Sequence, residues 1–108
     1  MKRAELNALA QEFLATEIRR LADLPYSEIA ELPEYPETSR IPLQIPENLS
    51  EYQFTLMKDT QPDKSIRIAI QLYRYRFLGI GQMSADGFFK SPDGSIRKFT
   101  EKDVWAVT

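Results

Sequence analysis

Apolar residues recur every three or four positions along residues 3–23, the spacing that gathers them on one side of an α-helix. The apolar stripe comprises Leu6, Leu9, Ala10, Phe13, Leu14, Ile18 and Leu21. Charged residues occupy most of the opposite side, and Pro25 ends the pattern because proline cannot continue a helix. A chain of this size has few other large apolar surfaces, so we expect the stripe to pack on a sheet rather than bind a partner.

An acidic, proline-rich connection, residues 24–46, follows this helix. Residues 26–32 have the pattern of a two-turn helix, with Ser27 as its predicted N-cap. The next residues include Pro33, Pro36, Pro42 and Pro46. Because each proline removes a backbone donor, we predict an extended path in which residues 41–45 form at most an edge strand.

Period-two alternation takes over in the second half of the chain and predicts β-strands. The four predicted strands cover residues 51–59, 65–78, 82–91 and 95–99. The first two should form an antiparallel hairpin, and Pro92 and Gly94 mark a tight turn between the last two. Gly87 within the third strand indicates a bulge or a close approach of another group.

A short helix should close the chain, because Thr100 and Asp103 have the spacing of a capping box. Its apolar residues, which should dock it, are Val104, Trp105 and Val107. The element order predicts an α+β fold, in which an N-terminal amphipathic helix packs on a three- to four-stranded antiparallel sheet and a short C-terminal helix follows. The length of 108 residues predicts a single domain, 1–108.

The chain contains no cysteine and no histidine. These absences exclude disulfides, thiolate and imidazole metal ligands, Ser-His-Asp triads and cysteine nucleophiles. We find no catalytic motif, so we predict a non-enzyme with no cofactor and no metal, although weak carboxylate chemistry stays open. The carboxylates of residues 23–37 lack the spacing of an EF-hand and are interpreted as a solvated acidic loop.

Charge is distributed unevenly although the net charge is only −2. Residues 1–63 have a net charge of −6 and residues 64–108 of +4. We expect the two halves to face each other within the fold or across a symmetric dimer. No run approaches the ~18 apolar residues of a membrane span, and three glutamates interrupt what would be the apolar part of a signal peptide. The expected location is therefore the cytoplasm.

Aromatic residues and arginines alternate in the run Tyr73, Arg74, Tyr75, Arg76 and Phe77. The apolar parity changes at this run, from even to odd positions, which implies a bulge, a change of covering layer or a strand buried on both faces. We predict that the run, together with Phe88, binds a protein partner. The alternative is that its arginines, with Arg97 and Lys98, hold nucleic acid, which the acidic pI of about 5.2 makes the less favoured interpretation.

Asp86 is the acidic residue that we would place in a pocket, because it lies between a small residue and Gly87 and beside two aromatic residues. A small-molecule site near Asp86 is therefore a third hypothesis. The leading hypothesis is a non-catalytic protein-interaction module, which we expect to form a homodimer. The acidic α+β pattern loosely resembles that of single-domain immunity and adaptor proteins, and no single motif assigns the chain to a family.

Overall fold

The computed structural model describes residues 2–75 and 81–108. In chain order the elements are α1 (Arg3–Ala22), α2 (Tyr26–Glu31), two 3₁₀ helices (Glu37–Arg40 and Glu47–Leu49), β1 (Tyr52–Thr60), β2 (Ile66–Tyr75), β3 (Gly81–Lys90), β4 (Ile96–Lys98) and α3 (Glu101–Ala106). The predicted α+β fold, with its N-terminal helix, antiparallel sheet and short C-terminal helix, is confirmed.

The four strands form one antiparallel sheet in the order β1-β2-β3-β4. The predicted hairpin of the first two strands is confirmed, with Leu56 opposite Ile70. Two turns contain a residue in the left-handed region. Lys64, at φ 73°, lies in the turn between β1 and β2, and Gly94, at φ 89°, lies in the turn between β3 and β4. The predicted end of the second strand at Leu78 lies outside the described residues.

Helix α1 covers one face of the sheet and buries the predicted stripe. Its fully buried positions are Ala10, Leu14, Ile18 and Leu21. They belong to one core with the even-numbered residues of the strands, including Phe54, Leu56, Ile66, Ile68, Ile70, Leu72 and Phe88. Burying one such side chain stabilises the fold by roughly 1.5–3 kcal/mol relative to exposing it, so this layer dominates the packing energy.

The second face of the sheet has a smaller core under α3. Met57, Ala69 and Val107 form its buried centre, and Ala85 and Phe99 pack around them. Gly87 lies on this face, and a Cβ atom added to it would come 2.7 Å from the Phe99 ring. The close approach predicted at this glycine is therefore confirmed, and no bulge is present because the β2–β3 register is continuous through it.

The parity change after Leu72 is likewise not a bulge. The register continues without interruption to the pair Tyr75 and Gly81. Tyr73 therefore lies on the α3 face, and the next residue, Arg74, lies on the α1 face and is buried. The strand buries side chains on both faces near its end, which was one of the three expected explanations.

The proline-rich connection corrects two predictions. The path is not extended throughout, because Glu37–Arg40 forms a 3₁₀ helix. Residues 41–45, predicted to be an edge strand at most, form no strand, since Pro42 lacks the N–H group that a ladder needs, and Ile41, Leu43 and Ile45 pack on the α1 core. Ser27 is not the N-cap of α2. That helix begins at Tyr26, two residues earlier than a cap at Ser27 allows, with Pro25 at the N-cap position and no side-chain hydrogen bond.

Candidate functional site

The residues of the predicted partner-binding run do not share one surface. Tyr73 is half-buried on the α3 face, whereas Arg74 and Phe88 are buried on the α1 face, with 5% and 1% of their surfaces exposed. The Tyr75 side chain, Arg76 and Phe77 lie outside what the structure describes. The described part of the run therefore packs within the fold.

Arg74 lies between the first half of α1 and the start of β1. Its Nη1 donates to the side-chain oxygen of Asn7 at 3.3 Å, and its guanidinium carbon lies 5.6 Å from the centre of the Tyr52 ring. The Tyr52 hydroxyl also donates to the Asn7 oxygen. The buried Nε of Arg74 has no hydrogen-bond acceptor among the described residues. A charged donor is thus left without a partner at this position.

A cleft of about 130 Å³ adjoins this arginine. Its lining consists of Asn7, Ala10, Gln11, Tyr52, Leu72, Arg74 and Ser84. Gln11 donates to the Ser84 hydroxyl at a long 3.4 Å, so the hydroxyl keeps its own proton available. We name this site the Arg74 cleft. It combines one buried cation, several polar donors and an apolar floor.

Two further cations are buried on the α1 face, and both cap helix ends. Lys90 donates to the carbonyls of Ala22 and Leu24 at 2.8 and 2.7 Å. These carbonyls lie at the C-terminal end of α1, where a helix has unpaired acceptors and a partial negative charge. The lysine therefore ties β3 to the end of α1.

Lys58 does the same for α2. Its ammonium group donates to the carbonyls of Ala30 and Leu32 at 3.1 and 2.8 Å and pairs with the Glu34 carboxylate at 3.0 Å. Burial alone raises the pKa of Glu34, but hydrogen bonds from Thr60 and Lys58 and the lysine charge lower it below its ordinary value.

Sequence reasoning missed these three buried cations, although the alternation contains the signal. Lys58, Arg74 and Lys90 each occupy an even-numbered strand position that continues the apolar series of the α1 face. A cation at such a position must find acceptors inside the fold or face a cleft.

Asp86 lies half-buried on the α1 face of β3, opposite Ile70. One of its carboxylate oxygens accepts from the N–H of Gly87 at 2.8 Å. It is not part of the lining of the Arg74 cleft. Within residues 2–75 and 81–108, no three acidic side chains are grouped closely enough to hold a metal ion.

The other unusual surface lies on α3. The predicted docking of Trp105 is wrong, because 73% of this side chain is exposed. Val107 holds the helix instead, and Gln71 donates to its carbonyl from the sheet. A six-residue helix offers the sheet one side only, and Val104 is half-buried whereas Trp105 lies on the exposed side. Met83, with 43% of its surface exposed, lies on the same side of the sheet.

Ion pairs between the two halves of the chain are few. Among the residues that the structure describes there are four ion pairs, and Arg67 with Asp59, at 2.8 Å, is the one that joins residues 1–63 to residues 64–108. Arg97 also lies over the Phe89 ring at 4.1 Å and pairs with Asp103 at 3.0 Å. Lys98 is exposed on β4. The two halves pack against each other through the α1 core, but ion pairing between them is limited, among the described residues, to this hairpin pair.

Comparisons with known protein families, with curated proteins and with solved structures find no match. A separate examination for membrane spans shows that α1, α2 and α3, the α-helices of the described ranges, lack the combination of length and apolar character that crossing a bilayer requires.

Proposed function

We propose that this chain is a non-catalytic, cytoplasmic protein-interaction module that pairs with a second copy of itself through α3. The observation that carries the proposal is the exposure of Trp105, the chain's single tryptophan, at 73%. Tryptophan is the side chain that most often dominates the energy of a protein interface, because it buries a large area at little entropic cost. We name the exposed residues of α3 and of the sheet face beneath it, Met83, Glu101, Lys102 and Trp105, the α3 surface.

The charges of the α3 surface favour a second copy as the occupant. Glu101 and Lys102 are adjacent, exposed and of opposite sign. In a twofold dimer the same patch meets itself, so Glu101 of one copy faces Lys102 of the other, and the pair forms twice. A patch with one sign of charge would instead require a different partner.

A reducing compartment is consistent with a chain that has no cysteine.

Sedimentation equilibrium over a range of concentrations tests this proposal. The wild-type chain should sediment with twice the chain mass of 12.5 kDa, and Trp105→Ala should weaken the association by at least about tenfold. Because Trp105 is the only tryptophan, its fluorescence should shift to shorter wavelength as the dimer forms. Tyr35→Ala is the matched control, since Tyr35 is an exposed aromatic residue of the proline-rich connection, and it should leave the dimer intact.

A charge exchange separates self-association through this surface from association elsewhere. Glu101→Lys should weaken the dimer because it places like charges opposite each other, and adding Lys102→Glu should restore it. A wild-type chain that stays monomeric at high micromolar concentration contradicts the proposal. So does a Trp105→Ala variant that dimerises as tightly as the wild type.

A further inference from the structure

Arg74 is a buried cation whose guanidinium group has an incomplete set of hydrogen-bond partners. Only 5% of the residue is exposed, and a guanidinium group keeps its charge inside a protein. Its one hydrogen bond in the described part of the chain, to the neutral amide of Asn7, is long at 3.3 Å. None of the ion pairs formed by the described residues includes Arg74, and its Nε has no acceptor there.

The same fold satisfies its other buried cations fully. Lys90 has two carbonyl acceptors within 2.8 Å, and Lys58 has two carbonyls and the carboxylate of Glu34. A buried cation with a purely structural role therefore receives strong acceptors in this molecule. Arg74 differs because it lines a cleft, and the space beside it is where an acceptor is lacking.

The polar groups around the cleft are mainly donors. The Asn7 oxygen already accepts from Tyr52 and Arg74, so its amide N–H groups remain to donate. The Ser84 hydroxyl accepts from Gln11 and can donate its own proton. Ala10 and Leu72 complete the lining with apolar surface. One positive charge surrounded by donors and apolar atoms is suited to an anion with a short apolar part.

We propose that the Arg74 cleft binds a small monocarboxylate, with Arg74 as the pairing cation and Asn7 and Ser84 as additional donors. The planar guanidinium matches the planar carboxylate, and the single cation matches a single negative charge better than the double charge of a phosphate. The volume of about 130 Å³ admits a short acid and excludes a long acyl chain. This proposal is independent of the dimer, because the cleft lies on the α1 face.

Titration with sodium acetate, followed by amide chemical shifts, tests the proposal directly. Saturable shifts are expected at Asn7, Gln11, Leu72 and Ser84, with a rise in Tm through mass action. Sodium chloride at the same ionic strength should produce neither effect, and inorganic phosphate should bind more weakly than acetate. Absence of saturable acetate shifts, or equal shifts with chloride, overturns the proposal.

Two variants test the role of the arginine charge. Arg74→Met should abolish the acetate response without lowering Tm, because it removes a buried charge that lacks a carboxylate. Asn7→Asp places a carboxylate within reach of Arg74, so it should raise Tm without acetate and weaken acetate binding at least about tenfold. The second variant keeps every other atom of the cleft and carries the test if Arg74→Met fails to fold.

Arg67→Met is the matched control, because Arg67 lies on the opposite face and pairs with Asp59 at 2.8 Å. It should retain the acetate response. A purely structural Arg74 gives the opposite set of results: Arg74→Met lowers Tm more than Arg67→Met does, and Asn7→Asp binds acetate as the wild type does. Either of these results contradicts a ligand site.

Discussion

At the residue scale, two buried lysines on the α1 face of the sheet have the same role, because each caps the end of a helix. Lys58 and Lys90 both occupy positions that would suit an aliphatic residue. Both residues are buried, so the methylene groups of each side chain lie against the core and the ammonium group reaches polar acceptors. Each ammonium group ends on helix carbonyls that would otherwise be unpaired. The two lysines therefore connect the sheet to the ends of the helices that cover it.

Lys90→Met should lower the free energy of unfolding by about 1–3 kcal/mol, because it leaves the carbonyls of Ala22 and Leu24 without their donor. Urea denaturation measures the effect. Lys98→Met is the control, since Lys98 is exposed on β4 and its replacement should change stability by no more than about 0.5 kcal/mol. Equal effects of the two substitutions would show that the carbonyl contacts of Lys90 do not stabilise the fold.

At the scale of elements, α3 depends on its cap more than the longer helices do. Thr100 accepts from the backbone N–H of Asp103, and the Asp103 carboxylate accepts from the backbone N–H of Thr100 at 2.8 Å, so the predicted capping box is confirmed. That backbone hydrogen bond is the main cause that lowers the pKa of Asp103, and Arg97 adds to it. Six residues are too few for a helix to persist alone, so the cap and Val107 hold it together.

Thr100→Ala should therefore loosen α3 selectively. Loss of an N-cap costs about 1 kcal/mol, and amide hydrogen exchange at residues 103–107 should accelerate roughly fivefold. Exchange in the middle of α1 should stay close to that of the wild type. Thr100→Ser keeps the capping oxygen and should behave as the wild type does. Unchanged exchange in α3 after Thr100→Ala would mean that tertiary contacts alone hold this helix.

At the scale of the whole molecule, the exposed carboxylates link stability to pH. Hydrogen bonds from the side chain and backbone of Ser65 lower the pKa of Asp63, and the backbone and side chain of Ser95 do the same for Asp93. The carboxylates of Asp103 and Glu34 also have lowered pKa values. A lowered pKa in the folded state means that the unfolded chain binds protons more readily.

The stability that these four carboxylates contribute should be fully present above about pH 5. It should fall as the pH drops through the unfolded values near 4 and then through the lower folded values. Thermal unfolding between pH 7 and pH 2 measures this loss. The double variant Asp63→Asn and Asp93→Asn should lose less stability over that interval than the wild type. If the double variant lost as much stability between pH 7 and pH 2 as the wild type, Asp63 and Asp93 would not contribute to the acid sensitivity.

The local sequence pattern was sufficient to predict most of the helices, strands and turns. The stripe of α1, the alternation of the strands, the turn at Pro92 and Gly94 and the capping box depend on neighbours within a few residues, so the sequence predicts them directly. The prediction failed where the prolines were expected to keep the chain extended. Residues 37–40 form a 3₁₀ helix instead, because a missing proline N–H does not prevent a short helical turn that begins after it.

The strand alternation places Lys58, Arg74 and Lys90 on the α1 face, but the acceptors of these cations and the exposure of Trp105 depended on the tertiary structure. Trp105 has the spacing of a docking residue, yet it faces outward, and the buried residue that holds α3 on the sheet is Val107 at the C-cap position. Arg74 belongs to a run of residues that we predicted to form a binding surface. The unbroken β2–β3 register instead places it under α1, beside Asn7. The sequence by itself determined the elements and their order, because these follow from local periodicity. Only the packing of α1 and α3 on opposite faces decided which cations are enclosed and which aromatic residue is exposed, since that depends on residues distant in the chain.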